Sequence, residues 1–341
     1  MENNMQPDKW CLTEENFDVN NHFASNNVFS LGNGHIHQEA NFEEYFSGQT
    51  MLGCYLFGIL NPEEPARESW KKEYIEVSDK IVNAPNWTGI IVRLNDEKLD
   101  LATWEVQNYK RTLNMREGFL ERTFEAISSK DHRILVSVKR FLSMAETEVG
   151  AITYSVKSLN FEGRISFMSI IDGDLKNQLE NANEPIWNVL QTKTQQNVAH
   201  LWIQTRRTDF HVCAAMTYAL YKNNEQLNVI ATKIEKEKVA GFSIGVDVKR
   251  GDTLSLNKFV AILSSLNYPR IELTAQACEH ALAAKQKGWN KLFEEHSAVL
   301  AEKWSHADKI SAESAENQYK MFCDIQNQAN TVENVNAMHC W

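Results

Sequence analysis

The stretch Ile134–Ser158 reads ILVSVKRFLSMAETEVGAITYSVKS and holds two runs in which apolar and polar side chains alternate. The apolar residues that share a face are Ile134, Val136 and Val138 in the first run and Ile152, Tyr154 and Val156 in the second. Period-two alternation buries one face of a strand and leaves the other in solvent, which is typical of antiparallel sheets. The stretch therefore predicts two strands of an antiparallel sheet.

The same pattern extends from about residue 90 to residue 263. Further alternating runs are Ile165, Phe167, Ser169 and Ile171, and Phe242, Ile244, Val246 and Val248. Turn signals between runs are Asn95-Asp96, Glu162-Gly163 and Arg250-Gly251-Asp252. Many strands with little helix between them favour a large sandwich over an α/β fold. We predict a mainly β fold, with a large antiparallel β-sandwich at residues 10–268.

The sequence changes character after Pro269, where alanine, glutamate and lysine become frequent. Two helical stripes follow, the first with Leu273, Ala277, Ala281 and Ala284, the second with Trp289, Leu292, Phe293, Leu300 and Trp304. His296 interrupts the second stripe, and Gly288 is placed to separate the two helices. We predict linker helices at residues 271–307 and a divergent tail at residues 308–341.

Composition argues against several classes of protein. The chain of 341 residues is 43% hydrophobic and carries a formal net charge of −10, so it can build a core but would repel a nucleic-acid backbone. It shows neither the apolar run of a signal peptide nor a stretch long enough to span a bilayer. The cysteines, which form no CxxC pair, are Cys11, Cys54, Cys213, Cys278, Cys323 and Cys340. We expect free thiols in a cytoplasmic protein that binds neither nucleic acid nor membrane.

Two motifs near the N-terminus have both a structural and a chemical interpretation. Gly32-Asn33-Gly34 supplies residues that tolerate positive φ, and no lysine-bearing phosphate loop follows it, so it predicts a tight turn. His35 and His37 alternate like paired metal ligands, but no third ligand stands at a diagnostic spacing. We interpret both histidines as surface or partly buried side chains and predict no metal site.

Asp172-Gly173-Asp174 follows a predicted strand, where it could serve catalysis or a turn. Cleavage of a glycosidic bond needs a carboxylic acid and an opposing nucleophile, but an Asp-Gly turn uses the same residues, and we favour the turn. Tryptophans could stack on sugars but more often fill cores and interfaces; they include Trp70, Trp87, Trp104, Trp187 and Trp202. No catalytic pairing or cofactor fingerprint stands out, so the residues alone assign no catalytic, cofactor-binding or metal-binding side chain.

A series of motifs runs in order along the chain. The first are Phe29-Ser30-Leu31-Gly32-Asn33-Gly34, Asn41-Phe42-Glu43-Glu44, Pro85-Asn86-Trp87 and Leu94-Asn95-Asp96-Glu97-Lys98-Leu99-Asp100-Leu101. The later ones are Tyr109-Lys110-Arg111, Met115-Arg116-Glu117-Gly118, Lys139-Arg140-Phe141 and Ile171-Asp172-Gly173-Asp174-Leu175-Lys176-Asn177, then His296 and Trp304. Together they resemble the disaccharide phosphorylases of glycoside hydrolase family 65, foremost the maltose phosphorylases, with kojibiose and trehalose phosphorylases as near alternatives. The resemblance covers nearly the whole chain up to about Asp308.

The resemblance implies a galactose-mutarotase-like super-sandwich, two linker helices, an (α/α)6 barrel and a small C-terminal sheet. It also implies inverting phosphorolysis of maltose-type α-glucosides to glucose 1-phosphate and glucose. Inorganic phosphate is then the co-substrate, no cofactor is needed, and a glutamate of the barrel is the acid. Since the barrel is absent from this chain, the matched motif residues carry over as scaffold positions and no catalytic residue is assigned.

Two residues depart from the family pattern. Glu39 stands where an arginine is usual, and His37 where a glycine is usual. A reversed charge at an inward-facing position would strip a buried carboxylate of its partner. The segment after Asp308 also differs from the family pattern, and a truncated or frameshifted reading frame would explain this difference.

Two hypotheses of function remain open on the sequence. The chain is either the front domain of a family 65 phosphorylase, inactive alone, or a stand-alone carbohydrate-binding or subunit-interaction module, and homodimer formation is left open. A third, epimerase-like possibility would need a histidine and a glutamate facing one concave site, and no such pair is nominated. Without the barrel, we expect Trp289, Phe293 and Trp304 to leave an exposed apolar patch and residues 309–341 to be weakly docked.

Overall fold

The computed structural model describes residues 5–7, 10–20, 22–50, 52–63, 78–174 and 186–306. The strands are β1 (Met5–Pro7), β2 (Cys11–Glu14), β3 (Leu31–Gly32), β4 (Ile36–Gln38), β5 (Cys54–Glu63), β6 (Ser78–Asn83), β7 (Ile90–Leu94), β8 (Glu97–Lys98), β9 (Glu105–Asn114), β10 (Phe119–Ile127), β11 (Arg133–Leu142), β12 (Val149–Ser158), β13 (Gly163–Asp172), β14 (Trp187–Thr194), β15 (Ala199–Thr205), β16 (His211–Lys222), β17 (Glu225–Leu227), β18 (Thr232–Lys236), β19 (Val239–Val248) and β20 (Thr253–Ser264). A 3-10 helix spans His22–Ser25, and two helices follow the strands, α1 (Leu273–Lys287) and α2 (Trp289–His306).

Within the described ranges the strands form three sheets. The first has eleven strands in the order β1-β2-β9-β10-β11-β12-β20-β16-β15-β14, with β17 paired to β16. The second has five strands, β18-β19-β13-β7-β8, and the third has four, β3-β4-β5-β6. The five-stranded sheet packs on the eleven-stranded sheet through β13 and β19. The predicted antiparallel sandwich followed by helices is confirmed, and the four-stranded sheet is an addition that alternation did not reveal.

The alternation that predicts the strands also predicts the core. The inward side chains of β11 and β12 are at most 2% exposed, namely Ile134, Val136, Val138, Ile152, Tyr154 and Val156. Val138 lies directly opposite Tyr154 in this antiparallel pair, so the two apolar faces merge into one. Phe167 and Phe242 of the five-stranded sheet complete the same core from the other side.

Helix α1 covers the opposite face of the eleven-stranded sheet. Its buried alanines, Ala277 and Ala281, belong to one apolar cluster with Ala215 and Ala261, which lie opposite each other in β16 and β20. Small side chains on both surfaces allow the helix to lie close to the sheet. Strand β16 is therefore buried on both faces over most of its length, which gives it a nearly continuous apolar run.

Helix α2 corrects one prediction, because His296 does not interrupt the buried stripe. The side chain is 1% exposed and faces the sandwich. Its Nδ1 accepts a hydrogen bond from the Met144 N–H at 3.2 Å, and its Nε2 lies 2.8 and 3.1 Å from the carbonyl oxygens of Glu117 and Gly118. An imidazole with both nitrogens satisfied can occupy a core position. Burial lowers the pKa of His296 to about 4.

Each of the three aromatic residues that we expected to form an exposed patch on α2 contacts an aromatic side chain of the sandwich. The ring centroids of Trp289 and Phe293 lie 5.1 and 5.4 Å from that of Phe141, and Trp304 lies 4.9 Å from Trp10. All three rings are partly buried, because aromatic side chains of the sandwich pack against them edge to face. The predicted weakly docked segment lies outside the described residues. No helix in the described ranges has both the length and the apolar character to cross a membrane.

Candidate functional site: a buried arginine–glutamate network

Three arginines line the inner face of the eleven-stranded sheet. Arg111 of β9 lies directly opposite Arg122 of β10, and Arg140 of β11 lies opposite Leu120, two residues from Arg122 on the same face. Each arginine is at most 4% exposed. Each stands in the apolar register of an alternating strand, at a position where the pattern would otherwise place an aliphatic side chain. An ionised side chain there requires a partner of opposite charge.

The loop after β4 supplies two of the partners. Glu43 accepts from Arg122 Nη2 at 2.6 Å and from Arg140 Nη1 at 2.7 Å, so one carboxylate joins two arginines. Glu44 accepts from Arg122 Nη2 at 2.5 Å and from the Tyr154 hydroxyl at 2.7 Å. Arg140 also donates to main-chain carbonyls of the same loop. The network therefore clamps this loop onto the sheet.

Arg111 is held by a separate set of acceptors. Its Nε donates to Glu14 Oε2 at 2.9 Å, and its Nη1 donates to Asn26 Oδ1 at 3.1 Å. Ser25 Oγ and the Ala40 carbonyl accept further hydrogen bonds at 2.5 and 3.3 Å. These acceptors come from β2, from the 3-10 helix and its following turn, and from the loop after β4. Arg111 thus gathers three N-terminal segments that are distant from β9 in sequence.

The charges of the network balance, because three arginines meet three glutamates. Burial alone would raise the pKa of Glu43, but the positive charges of Arg140 and Arg122 outweigh burial and hold that pKa below its ordinary value. Removing one member of such a buried pair typically destabilises a fold by about 3–5 kcal/mol. The network is therefore a strong constraint on the position of the N-terminal segments.

Lys258 of β20 extends the polar row of the same face, and its hydrogen bonds go to main-chain carbonyl oxygens. It is fully buried, and its Nζ donates to the carbonyl oxygens of Gly89 and Ile170 at 3.1 and 2.7 Å. Burial lowers the pKa of Lys258 well below its ordinary value. Ile170 belongs to β13 of the five-stranded sheet, and Gly89 directly precedes β7 of the same sheet. The hydrogen bonds of this lysine therefore connect the two layers of the sandwich.

Glu39 shows the consequence of the charge departure noted in the sequence. Its side chain is 6% exposed, its Oε1 accepts from the Tyr55 hydroxyl at 3.5 Å, and its Oε2 has no hydrogen-bond partner among the described residues. Burial raises the pKa of Glu39. The carboxylates of Glu43 and Glu44 nevertheless keep their arginine partners. Among the described residues, no cationic side chain forms an ion pair with Glu39.

Gly32-Asn33-Gly34 lies at the predicted tight turn between β3 and β4, whereas His35 is more buried than we predicted. Gly34 has a φ of 82°, and Asn33 closes the hairpin by accepting from the Ile36 N–H and donating to the Ser143 carbonyl, each at 2.8 Å. His35 is buried with its Nε2 3.1 Å from the Ile262 carbonyl oxygen, and burial lowers the pKa of His37 to about 4. In the ranges described above, no three His, Cys, Asp or Glu side chains lie close enough to hold a metal ion.

Asp172 ends β13, and Gly173 and Asp174 close a described range, so the turn at this motif stays a prediction. Asp172 Oδ1 accepts from the Asp174 N–H at 2.8 Å, and the Gly173 N–H donates to the Lys238 carbonyl at 2.8 Å. Burial raises the pKa of Asp172, while Asp174 forms an exposed ion pair with Lys238. The two carboxylates are thus engaged in backbone geometry and a surface contact.

The tryptophans of the sandwich support the core interpretation. Trp87 is 1% exposed, and the Trp187 indole donates to the Asn83 carbonyl at 2.8 Å. Trp104 and Trp202 are partly buried against apolar clusters. Trp70 lies outside the described residues.

Sequence reasoning missed the network, although a signal was present. Arg122 and Lys258 each fall on the buried face of an alternating strand, flanked at two residues by Leu120 and Phe124 or by Leu256 and Val260. A lone cation in an apolar register indicates a buried ionic or carbonyl contact. The motifs Asn41-Phe42-Glu43-Glu44 and Lys139-Arg140-Phe141 were identified only as scaffold positions, and the structure brings both to the same ion cluster.

The fold and the network define a large antiparallel β-sandwich domain that is joined to a C-terminal pair of helices. The chain belongs to glycosyl hydrolase family 65: the profile of the family's N-terminal domain, "Glycosyl hydrolase family 65, N-terminal domain", matches residues 12–303. The resemblance stated from the motifs is therefore confirmed.

Relatives with established names are phosphorylases. Maltose phosphorylase of Bacillus subtilis (strain 168) is 27% identical over 301 residues, which cover 88% of this chain and 39% of the relative. Alpha,alpha-trehalose phosphorylase of Thermoanaerobacter brockii is 24% identical over 312 residues, which cover 88% and 40%. A solved structure of a provisionally named kojibiose phosphorylase from the human microbiome shares the fold with a TM-score of 0.82 at 19% identity, over 95% of this chain and 42% of that one. The chain spans about two fifths of the length of these two curated relatives.

Proposed function

We propose that this chain is the N-terminal, non-catalytic part of a disaccharide phosphorylase of carbohydrate metabolism. The observation that carries the proposal is the family match over residues 12–303, in a chain that spans about two fifths of its named relatives. The full-length enzymes would cleave maltose-type α-glucosides with inorganic phosphate as co-substrate and without a cofactor. The partners of the full-length protein would then be a disaccharide and phosphate, with no role for nucleic acid or membrane.

The chemistry of the buried carboxylates supports a scaffold role. Glycosidic cleavage needs a carboxyl group that can give its proton to the leaving oxygen. Glu43 and Glu44 are neutralised by arginines and are inaccessible to a sugar, and Glu14 is engaged by Arg111. Among the described cysteines, Cys54, Cys213 and Cys278 are free thiols, which supports a reducing, cytoplasmic location.

A phosphorolysis assay tests the proposal. The purified chain is incubated with inorganic phosphate and maltose, kojibiose or trehalose, and glucose 1-phosphate is measured. Full-length maltose phosphorylase of Bacillus subtilis serves as the positive control for maltose. We expect no phosphate-dependent product from this chain, and turnover with any of the three sugars would contradict the non-catalytic assignment.

A binding measurement separates the alternative, a stand-alone carbohydrate-binding or subunit-interaction module. Isothermal titration of the chain with each disaccharide would give a saturable heat for a carbohydrate-binding module and none for a scaffold domain. Light scattering over a concentration series would report whether the chain forms a homodimer. Saturable sugar binding by the isolated chain would favour the alternative over the proposal.

A further inference from the structure

Three side chains outside the ion network form a second polar cluster where α1 crosses β15. Sγ of Cys278 on α1 lies 3.4 Å from Nδ1 of His200 on β15. Nε2 of the same imidazole lies 2.8 Å from Oε1 of Gln191 on β14. A thiol, an imidazole and a carboxamide oxygen thus stand in series. This is the order in which a nucleophile, its base and the group that orients the base are arranged.

The carboxamide oxygen decides which imidazole nitrogen carries the proton. Since Oε1 of Gln191 can only accept a hydrogen bond, Nε2 of His200 is the protonated nitrogen. Nδ1 therefore presents a lone pair to the Cys278 thiol and can accept its proton. Burial lowers the pKa of His200, so the ring is in its neutral, basic form near pH 7.

A β-bulge brings Gln191 into this series. The register of β14 and β15 shifts by one residue between Val189 and Gln191, so that Gln191 pairs with Trp202 instead of Leu201. Leu201 is fully buried in the sandwich core, on the opposite face of β15 from His200. A one-residue shift moves a side chain to the other face of a strand, and bulges often re-aim a side chain in this way. The bulge therefore turns Gln191 toward the face that α1 covers.

The surroundings of the thiol decide how it can react. Cys278 is partly exposed, and burial raises its pKa to about 11. The unassisted thiol would be ionised to only about one part in ten thousand at pH 7, so reactivity would have to come through the imidazole. Trp202 packs in the same cluster as Cys278, and its indole Nε1 is buried without a hydrogen-bond partner in the described part of the chain.

We propose that Cys278 is a nucleophilic thiol that reacts with low-molecular-weight disulfides, with His200 as its base and Gln191 as a positioning residue. In this step His200 Nδ1 takes the S–H proton as Sγ attacks one sulfur of the disulfide. A new S–S bond forms to Cys278, the original S–S bond breaks, and the departing thiolate receives the proton from His200. The disulfide is the oxidant, and the products are a mixed disulfide at Cys278 and one free thiol.

The pH profile of the reaction tests this assignment. The full chain is treated with 2-hydroxyethyl disulfide, a neutral probe, and the mixed disulfide at Cys278 is followed by peptide mass spectrometry from pH 5 to pH 9. Two charged groups face His200: Glu235 of β18 raises its pKa, and Lys193 of β14 lowers it. Burial, with a smaller contribution from Cys278, raises the pKa of Cys213 on β16. With His200 as base, the rate constant should reach a plateau at a pH below 7 and remain constant from there up to pH 9. A thiol acting alone would react about tenfold faster for each added pH unit.

Three variants sharpen the test. His200→Ala should slow modification about 100-fold at pH 7 and abolish the plateau. Gln191→Leu, at an exposed position, should slow it about tenfold and keep the plateau. Cys213→Ala is the matched control, since Cys213 is fully buried in the same cluster, and it should leave the profile unchanged.

Circular dichroism establishes that each variant is folded. If His200→Ala does not fold, the wild-type profile and Gln191→Leu decide the matter by themselves. A wild-type rate that climbs tenfold per pH unit without a plateau would overturn the proposal. An unchanged profile in a folded His200→Ala variant would also overturn it.

Discussion

Replacing Glu43 by glutamine removes one negative charge from the centre of the buried network while keeping the shape of the side chain. Glu43 accepts from Arg122 at 2.6 Å and from Arg140 at 2.7 Å, and all three side chains are at most 4% exposed. Arg122 keeps Glu44 as a partner, whereas the remaining acceptors of Arg140 among the described residues are main-chain carbonyls. An uncompensated buried charge costs about 3–5 kcal/mol, so we expect Glu43→Gln to lower the free energy of unfolding by that amount.

Urea unfolding followed by circular dichroism measures this change. The matched control is Glu15→Gln, which breaks an exposed ion pair with Lys110 at 3.6 Å and should lower stability by less than about 1 kcal/mol. The double variant Glu43→Gln, Arg140→Met should recover part of the loss, because it removes the unpaired charge along with its partner. If Glu43→Gln and Glu15→Gln unfolded at the same urea concentration, the network would not constrain the fold as argued.

Two further variants test two other buried ionisable groups, His296 and Lys258. The pKa of His296 is about 4 in the fold, below the ordinary 6.5, so the wild type should lose about 3 kcal/mol of stability as pH falls from 6.5 to 4 and the unfolded chain becomes protonated. His296→Leu should lack this pH dependence, but it should lose about 1–3 kcal/mol at pH 7 because the Met144 N–H loses its acceptor. Urea titrations over that pH range measure both effects. Burial also holds the pKa of Lys258 well below its ordinary value of 10.5, so the wild type should gain stability relative to Lys258→Met as pH rises toward 10.5. A stability difference that does not vary with pH would contradict the lowered pKa of this carbonyl-bound lysine.

Part of the candidate site could be anticipated from the sequence. Asn41-Phe42-Glu43-Glu44 and Lys139-Arg140-Phe141 stood out as motifs, and both contribute to the ion network. Their meeting could not be anticipated, because Glu43 and Arg140 are separated by 97 positions and neither motif encodes a partner. The cluster of Cys278 and His200 depends in the same way on where α1 lies on the sheet.

The sequence by itself determined the alternating strands of the two larger sheets, their buried faces and the two C-terminal helices. These properties follow from periods of two and 3.6 residues, which are local and need no knowledge of the partner surface. Only the tertiary structure decided what each buried polar residue contacts. His296 breaks the apolar stripe in sequence yet belongs to it in the fold, because carbonyls and an N–H from two distant loops satisfy its ring. The bulge before Gln191 likewise arises from the pairing of β14 with β15, since a register shift is a relation between two strands and leaves no periodic signal in either.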